Sequence, residues 1–295
     1  TRPALAFPKR LGILTNPYLF YMSKSILDPA RIADIEFSND EIARYSRHLI
    51  MPEVTLEGQK RLKAAKVLCI GTGGLGSPIG LYLAAAGIGT LGLVDFDVVD
   101  YSNLQRQILH GTKDVGRKKL NSARDRIKEI NPNVQVDLHD ALFSAENARE
   151  IVEPYDIVID GTDNFATRFL AADACVLGRR PLVHGSVLRA TGQVGIFLPG
   201  AGCYRCLYPV IPDASSVPTC ADAGVFGATC GVIGSWMASE VLAVLLGQRN
   251  QSRLFVVDVE AGTSRRLALA ADPDCPSCGL SPTILSLEKS AYADK

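Results

Sequence analysis

Four cysteines set in two Cys-x-x-Cys pairs, Cys203/Cys206 and Cys275/Cys278, carry the clearest chemical signal in the chain. Two such knuckles supply the four thiolates of a tetrahedral zinc site, and with no coordination position left open the metal would be structural. Redox disulfides and an iron–sulfur cluster are the competing uses of the same residues. Sixty-eight residues separate the pairs, so a shared metal would staple the C-terminal segment back onto the domain. The second group is a glycine turn, Gly71-Thr-Gly-Gly-Leu-Gly76, followed by Asp95. Gly71 lets the chain turn tightly, Gly73 and Gly74 let backbone N–H groups approach a phosphate, and Gly76 lets a helix lie close on the preceding strand. Asp95 stands at the spacing where an acidic residue meets a ribose hydroxyl. Dehydrogenases, methyltransferases and ATP users share this signal, so it points to a nucleotide and leaves the reaction open.

Positioning these groups takes alternating strands and helices. Apolar runs at 67–70, 91–94, 134–138 and 156–159 have strand length, and amphipathic or capped segments at 77–86, near 145–152 and at 165–177 have helical period. Another helix follows Val115-Gly-Arg-Lys-Lys119, with Leu120, Ala123, Ile127 and Ile130 on its apolar face and Pro132 as its stop. Runs at 181–187 and 192–198 read as two further strands, antiparallel because their connection is so short. Upstream, Ser38 or Asn39 caps a helix through Ile50 with Ile42, Tyr45 and Leu49 inward, and a second helix spans 56–65. The expected class is α/β: a Rossmann-like mixed sheet with helices on both faces, N-terminal helices, antiparallel C-terminal strands and a structural zinc site. In such a sheet ligands sit at the carboxyl ends of the strands, where Asp95 and Asp163 fall. The stretch 225–247 carries one charge, Glu240, and reads as a helix buried in a globular domain rather than a membrane span.

Other polar groups admit two readings. Arg106 ends the patch Ser102-Asn103-Leu104-Gln105-Arg106, and Arg117, Lys118 and Lys119 load a first helical turn against the macrodipole. Together they look like a polyphosphate clamp; a solvated face is the plainer account of the lysines. Asp163, in Thr162-Asp163-Asn164, suits either a ligand or a helix cap. Arg44 and Arg47 suit a solvated helix face. Cys220 lies in a proline-rich loop, as a nucleophile or as a bystander with no base beside it. Cys69 and Cys175 read as packing groups and Cys230 is ambiguous, while His48, His110, His139 and His184 form no triad or metal spacing.

The 295 residues are 47% hydrophobic, enough for a sizeable core. Thirty-one basic and 31 acidic residues cancel without a long run of one sign, which argues against a nucleic-acid partner. Eight cysteines are too few for a disulfide scaffold of this length, and the paired ones point to metal in a reducing compartment, the cytoplasm. The expected organisation is an N-terminal extension over 1–37, one domain over 38–282 and a tail over 283–295, with Met22 a candidate native start.

In combination the motifs are specific. Gly71-Thr-Gly-Gly-Leu-Gly76, Asp95-Phe-Asp97, Ser102-Asn-Leu-Gln-Arg106-Gln, Val115-Gly-x-x-Lys119, Thr162-Asp163-Asn164, the two cysteine pairs and Pro218-Thr-Cys220 occur in the order seen in the MoeB/ThiF/HesA family, bacterial relatives of ubiquitin-activating enzymes. The chain resembles that family from about Ser38 to Leu280. The resemblance implies ATP- and Mg²⁺-dependent adenylation of the C-terminal glycine of a small ubiquitin-like sulfur carrier, MoaD- or ThiS-like, ending in Gly-Gly. It implies that Gly74 lies on the nucleotide, Asp95 holds the ribose, Ser102, Asn103, Arg106 and Lys119 line the phosphates, and Asp163 coordinates magnesium beside Asn164. It also implies a homodimer in which Arg47 reaches the partner's site, and a Cys220 that assists sulfur transfer after adenylation. Because the sequence stops at Lys295 without a rhodanese-like domain, a separate persulfide donor is expected. The molybdopterin, thiamin, cysteine and tRNA-thiolation pathways all use this chemistry. An NAD-dependent oxidoreductase is the alternative, and a non-catalytic nucleotide-binding scaffold comes third.

Overall fold

The computed structural model describes residues 26–212 and 223–292. Met22 and the Pro218-Thr-Cys220 loop lie outside the described residues. One eight-stranded sheet runs through the molecule in the order β3-β2-β1-β4-β5-β6-β7-β8. Strands β1 (Lys66–Ile70), β2 (Thr90–Val94), β3 (Gln135–His139), β4 (Ile157–Asp160) and β5 (Leu182–Leu188) are mutually parallel. β6 (Thr191–Phe197), β7 (Arg253–Asp258) and β8 (Thr263–Ala268) continue the sheet antiparallel. The mixed sheet expected from the sequence is thus present, and it gains β7 and β8, to which no strand reading attached. All six residues of β8 are exposed, so it offers no alternation of apolar and polar positions to read.

Alternation in the inner strands explains the layers. Val67 and Cys69 of β1 join one core with Leu91, Leu93, Ile157 and Ile159, while Leu68 and Ile70 join a second with Val94, Val158 and Phe169. A sheet buried on both faces reads as continuous apolar runs, which is how these strands read. The first core is roofed by helices Gly76–Ala86 and Gly227–Leu245, the second by helix Phe165–Gly178. Gly227–Leu245 is long and apolar enough to cross a membrane, yet Ile233, Met237 and Val241 are fully buried in the fold. Its Glu240 accepts from Arg249 and Arg253, two guanidinium groups that hold its carboxyl low against the opposing pull of burial.

Two local expectations are corrected. The helix expected from Ser38 through Ile50 is two short helices, Asn39–Arg44 and Ser46–Leu49, broken at Tyr45. Tyr45 is buried because its hydroxyl accepts from Asn131, Glu41 is buried because it completes a capping box with Ser38 and pairs with Lys63, and Ile42 is left exposed. Arg117 and Lys118 do not load a helical turn, since the helix begins at Lys119 and runs to Ile130. Arg117 bonds to Asp114 and Asp125, and Lys118 to Asp140. Leu27 and, on the short helix Pro29–Ala33, Ile32 join the core, and near the C-terminus the Tyr292 hydroxyl reaches Asp173 at 2.8 Å.

A nucleotide-shaped cavity and a four-cysteine centre

Register determines what meets at the carboxyl edge of the sheet. Ile70 pairs with both Val94 and Asp160, so Gly71, Asp95 and Gly161 leave the sheet side by side. β1 lies between β2 and β4, all three parallel, and the order in which successive strands are added to the sheet reverses there, the crevice where open α/β sheets bind ligands. A cavity of about 300 Å³ opens at that point. Gly71, Gly73, Gly74, Asp95, Arg106, Lys119, Asp163 and Asn164 line it, drawn from positions up to 93 residues apart in sequence. Gly71 has φ +88°, a left-handed turn that favours glycine. Gly76 stands behind the loop: a Cβ there would lie 2.1 Å from the Gly71 carbonyl oxygen.

Asp95 is engaged by the protein itself. Its Oδ2 accepts from the Thr72 amide at 2.8 Å and the Thr72 hydroxyl at 2.7 Å, and its Oδ1 from the Asp97 amide at 3.0 Å. Arg106 is aimed by Asn103, whose Oδ1 accepts from Nη2 at 2.8 Å. Lys119 is 6% exposed, and its ammonium lies 2.7 Å from Asp97 Oδ2. The cap of helix Phe165–Gly178 is Asn164, which accepts from the Thr167 amide at 2.8 Å. Asp163 is thereby released from capping, and its carboxylate has no hydrogen-bond or ion partner among the described residues.

Not every sequence candidate reaches the wall. Ser102 is exposed and bonds to Asp100, Gln105 is exposed, Leu104 is half-buried, and Asn103 acts through Arg106. Arg47 is exposed on its short helix, away from this cavity. Gln107, Phe96, Leu142, Phe143 and Arg168 line the cavity without having been singled out as site residues. Arg168 donates from Nε and Nη2 to the Thr162 carbonyl, which fixes the turn before Asp163. Helical period places it on the face of its helix that meets the turn, a signal available only once that turn is known to be the site.

Cys203, Cys206, Cys275 and Cys278 converge, with all four Sγ atoms within 4.8 Å of one another. Bonds of about 2.3 Å in a tetrahedron place sulfurs about 3.8 Å apart. Here Cys203–Cys206 is 3.9 Å, Cys203–Cys275 3.6 Å and Cys206–Cys278 3.4 Å. Cys206 is held well below the usual thiol range by hydrogen bonds from Cys203 and Cys278 and from the amides of Asp272 and Cys203. Four thiolates so close repel one another unless a cation lies among them, so the donor set fits zinc. Below it, Arg205 pairs with buried Asp173 at 2.8 Å, tying the knuckle helix to Phe165–Gly178. Cys69 and Cys175 are buried thiols whose protons burial holds on, Cys69 up to about 12, as packing groups should be.

Fold and site together define a mixed α/β protein with a cavity at the carboxyl edge of its sheet and a separate four-cysteine centre. A family model described as "ThiF family" matches residues 45–277, and the chain belongs to that family. It is 50% identical over 246 residues to the "Probable adenylyltransferase/sulfurtransferase MoeZ" of Mycobacterium tuberculosis, covering 81% of this chain and 63% of that protein. It is 45% identical over 257 residues to the "Sulfur carrier protein adenylyltransferase" of Thermus thermophilus, covering 84% and 95%. The chain therefore spans about three fifths of the MoeZ relative and nearly all of the Thermus one. Among solved structures, Escherichia coli MccB with MccA-N7isoASN superposes at a TM-score of 0.73 over 82% of this chain and 76% of that one, at 23% identity, a likeness of fold.

Proposed function

We propose that this protein adenylates the C-terminal glycine carboxylate of a small ubiquitin-like sulfur carrier, using Mg-ATP. The observation that carries the reading is the meeting of the glycine loop, Asp95, Arg106, Lys119 and Asp163 around one cavity. The Thermus relative's printed activity, on a protein matched along 95% of its length, supports the same reading. Relatives of this kind give the NAD-dependent alternative no support.

The chemistry requires two anions to meet. A carboxylate oxygen of the carrier attacks the α-phosphorus, the bond from that phosphorus to the bridging oxygen of the β-phosphate breaks, and pyrophosphate leaves with the electron pair. No proton is removed, so no general base is needed. Arg106 and Lys119 would lower the repulsion and stabilise charge gathering on pyrophosphate, while loop amides at Gly73 and Gly74 hold the phosphates. Asp163, whose carboxylate has no partner among the described residues, would hold magnesium beside Asn164, and that ion would supply positive charge against the phosphate oxygens. Asp95 would trade a loop hydrogen bond for the ribose.

The remaining parts of the reading are an adenylating unit over 38–282, a structural zinc among the four cysteines and a cytoplasmic location. Homodimerisation is supported by the exposed apolar side chains Ile50, Met51 and Leu56 flanking Arg47, which on this reading serves the partner's site. Cys220 would act in sulfur transfer after adenylation, with the persulfide supplied by another protein. The molybdopterin, thiamin, cysteine and tRNA-thiolation pathways are candidate settings. The test is ATP–pyrophosphate exchange with purified carriers, with and without their terminal Gly-Gly. Exchange that depends on one carrier and its tail supports the proposal; absence of exchange with every carrier, in zinc-loaded protein that binds ATP, rejects it.

A further inference from the structure

We infer that His110 is a positioning residue that holds the glycine loop and the Lys119 helix in register for a phosphate chain, an inference that rests on the nucleotide reading above. The imidazole is buried, 6% exposed, and is not part of the cavity wall. Its Nε2 lies 3.1 Å from the Thr72 carbonyl oxygen and its Nδ1 3.0 Å from Ser122 Oγ. A carbonyl only accepts, so Nε2 carries the proton, and Nδ1 of the neutral ring faces the Ser122 hydroxyl, a donor it shares with Asp114. Burial holds the ring below the ordinary histidine value with help from Lys119, against the Thr72 carbonyl, Asp95 and Asp114.

Each bond ends on a different phosphate-binding element. Thr72 immediately precedes Gly73 and Gly74 and is gripped from two sides, by Asp95 at its amide and hydroxyl and by His110 at its carbonyl. Ser122 lies one turn beyond Lys119 on the same helix face, and the Lys119 amide is anchored on the Asp97 carbonyl at 3.0 Å. One ring therefore links the loop that presents amides to the helix that presents the ammonium. A phosphate chain must meet both at once, and a displacement of about 1 Å at such a contact costs up to about 100-fold.

The test measures binding of Mg-ATP and of adenosine by calorimetry, which needs no carrier protein. His110→Phe keeps the ring volume and removes both bonds; His110→Gln keeps a side-chain N–H for the Thr72 carbonyl. Expected is a loss of about tenfold in ATP affinity for His110→Phe, adenosine affinity within about twofold, and recovery of most ATP affinity in His110→Gln. Should His110→Phe fail to fold, Ser122→Ala removes one half of the link and is read the same way. Equal loss for ATP and adenosine, or no loss for ATP, overturns the inference while leaving the nucleotide reading in place. Wild-type protein that binds neither ligand overturns both.

Discussion

Asp160 and His184 face each other as register partners on β4 and β5, with His184 Nδ1 2.7 Å from Asp160 Oδ2 and both side chains buried. The other carboxylate oxygen accepts from the Thr162 amide at 3.0 Å and hydroxyl at 2.6 Å, so the pair underlies the turn that presents Asp163. Burial pushes His184 below its ordinary value and outweighs the pull of Asp160. For Asp160 burial pushes upward, but the hydrogen bond from His184, with Arg168 and Thr162, holds the carboxyl below its usual range. At neutral pH the pair is a neutral imidazole donating to a carboxylate.

That state sets a sign for the pH dependence of stability. Below about pH 6.5 an unfolded histidine takes up a proton that His184 in the fold refuses, so the unfolded chain binds more protons and stability falls with falling pH, by up to about 1.4 kcal/mol per pH unit. Asp160, with its carboxyl held low, gives up its contribution only at much lower pH. Urea unfolding at pH 7.5 and 5.5 should show the parent losing about 1 kcal/mol more than His184→Gln. Proton uptake at the cysteine centre enters both proteins alike and cancels in the difference. Equal losses would mean that His184 titrates in the fold as it does in the open chain.

The glycine loop separates folding from binding. A Cβ on Gly76 would meet the Gly71 carbonyl oxygen at 2.1 Å, a backbone clash that cannot be relieved by a rotamer change. On Gly74 the nearest atoms are Cys230 Sγ at 3.2 Å and Arg106 side-chain carbons at 3.6 Å, which can yield. Gly76→Ala should destabilise the protein by about 3 kcal/mol or more. Gly74→Ala should fold with nearly unchanged Tm, place a methyl in the cavity and weaken ATP about tenfold. Thermal melts beside calorimetric titration check both; equal Tm losses in the two variants would contradict the assignment.

Lys119 opens its helix with a cation where the macrodipole disfavours one, a cost of a few tenths of a kcal/mol that Asp97 offsets in the free protein. Lys119→Met, which keeps the stem and removes the charge, should reduce pyrophosphate exchange about 100-fold with little change in Tm. Asp97→Asn should reduce it less, because the ammonium remains. The reverse order would place the important charge on Asp97.

Much of this was legible in the chain. Apolar runs located the inner strands because both sheet faces are buried, and the glycine loop with Asp95 located the crevice because the left-handed turn at Gly71 and the close approach at Gly76 favour glycine. β8 was not legible, since its exposed side chains carry no period, and neither was the helix break at Tyr45, whose hydroxyl is held by Asn131 86 residues away. His110 and His184 likewise looked scattered because their partners, Thr72 and Asp160, come from other strands' ends.

The cysteine centre lends itself to metal removal. Its sulfurs join the knuckle at Tyr204–Leu207 to the segment around Cys275, and its wall shares no residue with the nucleotide cavity. Elemental analysis should find one zinc per chain, lost in Cys206→Ser/Cys278→Ser. The depleted protein should melt more than about 10 °C lower, since structural zinc sites contribute folding energy outright. ATP affinity in the folded fraction should stay unchanged. Loss of ATP binding without a fall in Tm would place the metal in the reaction instead.

Arg47 permits the sharpest test of assembly, because it stands exposed and away from the cavity of its own chain. If it serves a partner's site, Arg47→Ala and Asp163→Ala each inactivate both sites of a homodimer. In a mixed dimer, the site that keeps Asp163 faces the subunit that keeps Arg47, and that site is whole. Half of randomly mixed dimers are hybrids and each hybrid has one working site of two, so co-expression should recover about one quarter of wild-type pyrophosphate exchange. Mixing the two purified variants without subunit exchange should recover none. If co-expression also recovers none, Arg47 acts within its own chain; if Arg47→Ala alone keeps full exchange, Arg47 has no part in the site; either result overturns the shared dimeric site.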